Sequence, residues 1–321
     1  MLVQLENNGQ KFSLTRFGFR GLAKGMVLDG ILLDQQGLLT ELRDLVRESG
    51  LTGQPVMFSV SGPSVMVKRL KISGVQPRDL EEHLLWEGHQ YISHPLDEVC
   101  FDYQVLWVNR EEALDILLVV AKRGVVEDHQ ILAADAGLKP VGCDVDGLAL
   151  ANMASLAGFN TFASHLLVTL ESGGGTIVAL EKGMPLYVRA VPWEDDLREE
   201  STSLETRTLG GEWDTADSDR CGECVAHSDV PKIAGQIRRN LNYMNELGST
   251  KKVEHILISG EGATQGLCQK LSGHLSRPVT LLNPFHGIRI RDSHINQDHL
   301  HRYGSSAAVA VGLAARSDCY T

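Results

Sequence analysis

The chain has 321 residues, of which 43% are hydrophobic and 22% charged, so it is long enough for a folded protein with two lobes and ordinary cores. The formal net charge of −11 excludes a general nucleic-acid binder, which needs a basic face, and argues against direct docking on anionic lipid. No apolar run approaches the ~20 residues of a membrane span. The start, Met1–Leu5, lacks the basic residues and long apolar stretch of a signal peptide. We therefore expect a cytoplasmic protein.

Apolar periodicity predicts alternating strands and helices through the first half of the chain. Two short strands, at 2–6 and 11–17, are joined by the hairpin signal Asn7-Asn8-Gly9 and precede an amphipathic helix over 37–49. Further along, the pattern predicts strands at 56–60, 65–72, 100–108, 114–121 and 139–144, and helices at 77–91, 124–136 and 147–157.

The second half continues the alternation around one segment of different character. The pattern predicts strands at 165–170, 175–181, 185–191, 253–258 and 278–282, and helices at 232–247, 262–273 and 303–315. The segment 192–230 is acidic, rich in Ser and Thr, and poor in large aliphatic residues, which predicts a loop or a subdomain too small for its own core. The alternation of strands and helices predicts an α/β fold with mixed sheets.

Two glycine-rich stretches each follow a predicted buried strand. Glycine lets backbone N–H groups approach a phosphate or a base without a Cβ in the way. Because the two stretches lie far apart in sequence, they predict a nucleotide cleft between two lobes, while a plain hairpin turn and a plain helix-start turn stay open as alternatives. The candidate cofactor-binding residues are Thr169, Gly173, Gly174, Gly175 and Thr176 in the first stretch and Ser259, Gly260 and Gly262 in the second.

Other polar motifs give weaker signals. Cys221 and Cys224 form a CxxC, but a closed zinc site needs four ligands and no second pair stands at useful spacing, so an incidental loop pair is favoured. The chain has no G-x-S-x-G elbow, and Ser172 is the nearest mimic of a nucleophile. The polar residues Asp292, His294, Asp298, His299 and His301 cluster near the end of the chain without a defined metal-ligand spacing. We predict no metal site and no catalytic residue.

An ordered set of short motifs runs through most of the chain outside 192–230. The longest begins at Trp86-Glu87, continues through Gln90-Tyr91-Ile92 to Pro95, and is followed by Asp102-Tyr103-Gln104. Further motifs are Val67–Leu70, Ala136–Pro140, Ile237–Tyr243, Ile258–Ala263 and Asn283–Phe285. This set resembles the PilM family, actin-like proteins of the type IV pilus assembly platform. The cytoplasmic part of the type II secretion protein GspL shares that fold and is the alternative resemblance.

The resemblance implies a two-lobed actin-like (ribonuclease H-like) fold with an inserted subdomain of the kind found in the division protein FtsA. Lobe 1 would span 1–160, with the insertion at about 60–122, and lobe 2 would span 161–321. Met1–Leu5 matches the strand that follows the first phosphate loop of such folds. The first strand and its phosphate turn are therefore absent from this sequence.

The resemblance also locates what the nucleotide site lacks. An aspartate that holds the metal-bound water usually stands where this chain has Thr169, and a neutral hydroxyl cannot neutralise Mg²⁺. Glu171 lies two residues away, in a different direction, and Glu261 would crowd or repel a triphosphate. We expect weak ATP binding at most, doubtful Mg²⁺ binding, and little or no ATPase activity.

PilM-family proteins bind ATP between their lobes and grip the short cytoplasmic tail of the bitopic membrane protein PilN in a groove beside the inserted subdomain. The resemblance therefore implies a cytoplasmic scaffold, peripheral at the inner membrane through its partners, that also contacts other pilus platform or motor proteins and self-associates. Two alternatives stay open: an active actin-like ATPase whose start codon was placed too far downstream, and a GspL-like secretion component. Trp86, Tyr91 and Trp107 are candidates for a peptide-binding surface or for core positions.

Overall fold

The elements follow the predicted alternation closely. A computed structural model describes residues 1–9, 11–108, 113–159, 163–171, 174–192, 230–246, 253–291, 295, 300 and 303–316. The first part of the chain forms β1 (Leu2–Asn7), β2 (Phe12–Gly18), β3 (Val27–Leu28), β4 (Ile31–Leu32), α1 (Gln35–Glu48) and β5 (Pro55–Val60). The next part forms β6 (Val65–Ile72), α2 (Leu80–Glu87), β7 (Val99–Val108), β8 (Leu114–Lys122), α3 (Arg123–Asp135), β9 (Lys139–Val145) and α4 (Asp146–Leu156).

The remaining part supplies the strands at the centre of the molecule. It forms β10 (Ser164–Thr169), β11 (Gly174–Glu181), β12 (Met184–Pro192), α5 (Val230–Glu246), β13 (Val253–Ser259), α6 (Gln265–Leu275), β14 (Val279–Leu281), β15 (Arg289–Ile290) and α7 (Ala308–Arg316). Among the described helices, none is long and apolar enough to cross a membrane.

One large sheet joins the second lobe to the inserted segment. Its strand order is β14-β13-β10-β11-β12-β6-β8-β7, with β10 parallel to β13 and antiparallel to β11. The inserted subdomain, which we define as β6, α2, β7 and β8, joins the sheet through a short antiparallel seam where Tyr187 faces Lys68 and Val188 faces Val67. Its strand β7 forms the outer edge of the sheet.

Three small sheets are described besides the large one: β1-β2-β15, the antiparallel pair β3-β4 and the parallel pair β5-β9. Leu2 of β1 and Val56 of β5 pack against one apolar cluster that includes Val46, Leu51 and Leu138. The sheets that contain β1 and β5 therefore share a core, although β1 and β5 do not pair with each other, and no described strand joins the two sheets. The predicted division into lobes at about residue 160 stays a prediction.

The core explains why the run Leu166-Leu167-Val168 is apolar without alternation. Leu166 and Val168 pack on one face of the sheet with residues of α5 and α6, and Leu167 packs on the other face with residues of α4 and α7. All three side chains are fully buried. A strand that is covered on both faces needs apolar residues at every position, and burial of each such side chain stabilises the fold by about 1.5–3 kcal/mol.

Two predicted helices are shorter than the periodicity suggests. The helix predicted over 77–91 is restricted to α2, because the chain forms tighter 3₁₀ turns at Pro77–Asp79 and Gly88–Gln90. Gly88 is a weak helix former and lies against Leu96. The helix predicted from 262 begins at Gln265, since Thr264 caps it by accepting the Leu267 N–H at 3.2 Å. The predicted loop at 192–230 falls almost wholly on 193–229, outside the described residues.

Candidate functional site

The two glycine-rich stretches meet at one edge of the large sheet. Parallel strands β10 and β13 end side by side, with Thr169 opposite Ser259 in the register. Because the carboxyl ends of neighbouring parallel strands point the same way, the loops that follow them converge, as in the ligand sites of other α/β sheets. Gly173 and Ser172 lie outside the described residues, while Gly174 and Gly175 form the start of β11.

Backbone hydrogen bonds lock the two loops to each other. The N–H of Leu170 donates to the carbonyl of Ser259 at 2.8 Å, and the N–H of Gly262 donates to the carbonyl of Leu170 at 3.1 Å. Gly260 lies between these bonds with φ of +101°, and a Cβ added there would stand 2.3 Å from the Leu170 carbonyl oxygen. Glycine at 260 is therefore required by the close approach of the two loops.

The second loop is also tied to the residues that precede α7. The carbonyl of Ser305 accepts the N–H of Gly260 at 3.2 Å and the hydroxyl of Ser259. In return, the Ser305 hydroxyl donates to the Gly260 carbonyl at 3.4 Å. These contacts join residues 45 or 46 positions apart, and they occupy polar groups that the sequence pattern assigns to a nucleotide.

The first loop is closed by its own threonines. Thr169 is 2% exposed, and its Oγ1 accepts the N–H of Thr176 at 2.8 Å. The N–H of Glu171 donates to the Gly174 carbonyl at 2.9 Å, and the N–H of Gly174 donates back to the Glu171 carbonyl at 3.3 Å. The Thr169 side chain thus stabilises the start of β11, and the backbone N–H groups of Glu171, Gly174 and Thr176 all donate to protein oxygens.

These bonds bear directly on the predicted phosphate cradle. A cradle binds phosphate by pointing several free N–H groups at it. Here the N–H groups of Gly174, Thr176, Gly260 and Gly262 all donate to protein oxygens. A phosphate would have to break these bonds before it could use them, so the described loop residues do not fit a triphosphate in this conformation.

Three carboxylates surround the cleft, one of which the sequence pattern did not single out. Asp146 is the first residue of α4, and its charge, together with that of Glu261, acts on Glu171. Although Glu171 is exposed as a residue, loss of water around its carboxyl group raises its pKa to about 7, and the charges of Asp146 and Glu261 add to that rise. Glu171 therefore interacts electrostatically with Asp146 and Glu261.

Asp146, at the start of α4, shares a small pocket with residues of β6, β11 and β12. Burial raises its pKa, while hydrogen bonds from Ser59 and Ser61 favour its charged form. Asp146, Ser61 and Thr176 are the polar residues of this small pocket, whose remaining lining is valine, glycine and alanine, with Val67 and Val188 among the valines. The signal that could have identified Asp146 is a carboxylate at the first position of a helix, directly after a strand whose last two residues are buried.

The carboxylates do not form a metal site. In the part of the chain that the structure describes, no group of three or more His, Cys, Asp or Glu side chains could hold a metal ion. Three like charges around one cleft would also repel a triphosphate that arrives without its counterions. The predicted candidates Cys221, Cys224, Asp292, His294, Asp298, His299 and His301 lie outside the described residues.

An exposed apolar hairpin lies beside the inserted subdomain. Strands β3 and β4 pair through the turn Asp29-Gly30, and Gly30 lies so close to the start of the insertion that a Cβ there would stand 2.5 Å from the Ser61 carbonyl oxygen. In and around this hairpin, large aliphatic side chains are 39–57% exposed: Leu22, Val27, Leu28, Ile31 and Leu33. A contiguous apolar patch of this kind is typical of an interaction site.

Of the three aromatic residues that the sequence offers as a peptide surface, two are exposed. Trp86 is 76% exposed on α2 and Trp107 is 68% exposed on β7. Tyr91 packs against the core of the inserted subdomain and is half-buried.

Comparison with known proteins identifies the family. The family model described as type IV pilus assembly protein PilM matches residues 1–165 and 223–318. The chain belongs to the PilM family. Its fold is the actin-like fold, with the mixed α/β architecture described above.

Solved structures resemble this chain to different degrees. The PilM of a PilM–PilN type IV pilus biogenesis complex superposes with a TM-score of 0.77 at 20% identity, covering 98% of this chain and 94% of that one. MreB5 of Spiroplasma citri bound to ADP gives a TM-score of 0.43 at 11% identity, covering 91% and 78%. The cytoplasmic domain of EpsL, an inner-membrane component of the type II secretion system of Vibrio cholerae, gives 0.35 at 13% identity, covering 63% and 78%.

Proposed function

We propose that this PilM-family chain is a non-hydrolysing scaffold of a type IV pilus assembly platform that holds the cytoplasmic tail of a PilN-like membrane protein. The observation that carries the proposal is the closure of the two glycine-rich loops onto each other. Their N–H groups donate to Leu170, Ser305, Thr169 and Glu171. Stabilisation of the transition state in phosphoryl transfer depends on free, positioned hydrogen-bond donors and on bound metal. Because the backbone N–H donors of these loops are already bonded within the protein, we assign them a role in stability.

The partner follows from the family and from the exposed hairpin. The similar PilM structure is that of a complex with PilN, and a PilN-like tail is the partner that we assign to this chain. Leu28 and Ile31 project from a hairpin whose tip rests on the start of the inserted subdomain. We place an apolar segment of the tail against this hairpin, where burial of its side chains would supply the affinity.

The same assignment sets the cellular position. A chain whose net charge is −11 gains nothing from anionic headgroups, so its place at the inner membrane would depend on its membrane-anchored partner. Contacts with other platform or motor proteins and self-association belong to the same proposal.

The test is a calorimetric titration with the N-terminal cytoplasmic peptide of the PilN-like protein encoded beside this gene. We expect saturable binding that Leu28→Ser/Ile31→Ser weakens at least tenfold, since hot-spot residues each contribute more than about 1 kcal/mol. Met184→Ser, at another exposed apolar position at the start of β12 (38% exposed), is the control and should bind like the parent. Absence of binding by the folded parent protein would refute the partner.

A second candidate function, ATP hydrolysis, is favoured by one observation. Asp146 interacts electrostatically with Glu171 beside the first glycine-rich loop, and the sequence pattern did not single out Asp146. If these residues support hydrolysis, purified protein should release phosphate from Mg-ATP, and Asp146→Asn and Glu171→Gln should each abolish that release. Phosphate release at the level of a no-protein blank would exclude this candidate.

A further inference from the structure

The outward face of α2 in the inserted subdomain carries large apolar side chains that no described residue covers. Leu80 and Leu84 are fully buried and fix the helix to the sheet beneath it. Leu85 and Trp86, on the other side of the helix, are 53% and 76% exposed. The attachment of the helix therefore does not depend on Leu85 and Trp86, and a tryptophan held this far into solvent is typical of a binding hot spot.

Carboxylates stand one helical turn before this apolar pair. Residues three and four apart lie on the same face of a helix, so Glu81 lies beside Leu85 and Glu82 beside Trp86. Both glutamates are exposed, as is His89 one turn further on. The result is an apolar pair framed by negative charge on one helix face, which we call the α2 face (Glu81, Glu82, Leu85, Trp86 and His89).

Negative charge is concentrated in the stretch that carries α2 and β7, whereas Lys68, Arg69 and Lys71 lie on β6. Residues 75–107 contain seven carboxylates and a single arginine, a formal charge of −6 out of −11 for the whole chain. That arginine, Arg78, already lies 3.6 Å from its neighbour Asp79. The carboxylates are Asp79, Glu81, Glu82, Glu87, Asp97, Glu98 and Asp102.

This charge selects among the partners that an exposed tryptophan could have. An anionic membrane surface would be repelled, so Trp86 is unsuited to anchor the protein on lipid. The same face of a second copy would bring its own carboxylates against these. A segment with Lys or Arg beside Leu or Met complements both features, because a cation can lie over the indole ring while the glutamates bind it and the aliphatic side chains cover Leu85.

We infer that the α2 face is a second docking surface, separate from the apolar hairpin, and that it binds a basic amphipathic segment of another protein. The apolar pair supplies the anchor, and the glutamates supply orientation and charge selectivity. The interaction is salt-dependent, because its charged groups are exposed.

The test uses full-length protein and three synthetic peptides of equal length: a helix-forming one of Leu and Lys, a helix-forming one of Leu and Glu, and a flexible one of Gly, Ser and Lys. We expect the Leu/Lys peptide to bind measurably in calorimetry and the other two to bind at least tenfold more weakly. Leu85→Ser/Trp86→Ala and, separately, Glu81→Lys/Glu82→Lys should each weaken Leu/Lys binding about tenfold or more.

Matched controls separate this surface from general attraction to an acidic protein. Glu127→Lys/Glu254→Lys changes net charge by the same amount at exposed positions on α3 and β13, and Leu28→Ser/Ile31→Ser alters the hairpin surface. Both should bind the Leu/Lys peptide within about twofold of the parent. If the Leu85/Trp86 variant loses its cooperative melt, the charge-reversal pair decides, since neither glutamate is buried.

Four results would overturn the inference. These are equal loss of binding in Glu127→Lys/Glu254→Lys, equal binding of the Leu/Glu peptide, co-sedimentation with phosphatidylglycerol vesicles that depends on Trp86, and a sedimentation-detected dimer of the parent that Trp86→Ala dissociates. Because the hairpin variant serves as a control here, failure of the tail-binding proposal and failure of this one give different patterns of results.

Discussion

Substitution of Gly260 tests the mutual locking of the two loops. Gly260→Ala would place a Cβ 2.3 Å from the carbonyl oxygen of Leu170 and 2.7 Å from its nitrogen. Relief requires the Leu170 backbone to move by about 1 Å, although it is held by hydrogen bonds from its own N–H and to its carbonyl. Loss of one or both bonds costs about 1 kcal/mol each, and φ of +101° adds a left-handed strain of about 1–2 kcal/mol.

We therefore expect Gly260→Ala to lower the free energy of unfolding by about 2–4 kcal/mol, measured by urea denaturation of purified protein. Two glycines separate the contributions. Gly158 has φ of +86° and open space around its Cβ position, so Gly158→Ala should cost only the left-handed strain. Gly235 has open space inside α5 and no positive φ, so Gly235→Ala should stabilise the protein by about 0.5–1 kcal/mol.

The difference in stability between Gly260→Ala and Gly158→Ala measures how closely the two loops pack. A Gly260→Ala variant no less stable than Gly158→Ala would show that the loops are not packed as described. It would also return Gly260 to the role of a flexible ligand-binding residue.

Three further substitutions test the site by stability. The pKa of Glu171 rises from 4.5 to about 7 on folding, so the folded state holds the proton more tightly and stability falls as pH rises through that window. Because the residue is open to solvent, Glu171→Gln should add only about 1 kcal/mol to the free energy of unfolding at pH 8 and nothing at pH 4. Urea midpoints at the two pH values measure this difference. Arg316→Met leaves the buried carboxylate of Asp144 without its ion pair and should lower the free energy of unfolding by about 2–4 kcal/mol. Arg47→Met removes an exposed ion pair and should lower it by less than about 0.5 kcal/mol. Equal losses in the two variants would contradict the buried pairing. Thr169→Val removes the acceptor of the Thr176 N–H and should lower the free energy of unfolding by about 1–2 kcal/mol. Thr169→Ser keeps a hydroxyl acceptor and should avoid most of that loss. A Ser variant as unstable as the Val variant would contradict a stabilising role of the hydroxyl.

The sequence was sufficient for those elements whose signals are local. The run Leu166-Leu167-Val168 predicts a strand buried on both faces, and β10 is such a strand. The stripe Ile233, Ile237, Leu241 and Met244 predicts a helix, which α5 confirms. These patterns work because burial periodicity is fixed by backbone geometry alone.

The occupation of the glycine-rich loops depends on contacts distant in sequence. The two loops lie side by side at the ends of β10 and β13, but the acceptor for the Gly260 N–H is Ser305, 45 residues away, and no pattern around either residue shows it. The sequence pattern did not predict a role for Asp146 for the same reason. Its importance comes from Ser59, Ser61 and Glu171, which only the fold brings near it.

Amide hydrogen exchange at the two loops tests most directly whether the cleft is closed by its own hydrogen bonds. The account predicts that the amides of Leu170, Thr176, Gly260 and Gly262 are strongly protected in ligand-free protein, and that excess Mg-ATP leaves their rates unchanged. Rapid exchange of these amides without nucleotide, followed by protection when Mg-ATP is added, would show a working phosphate cradle and would contradict the scaffold assignment.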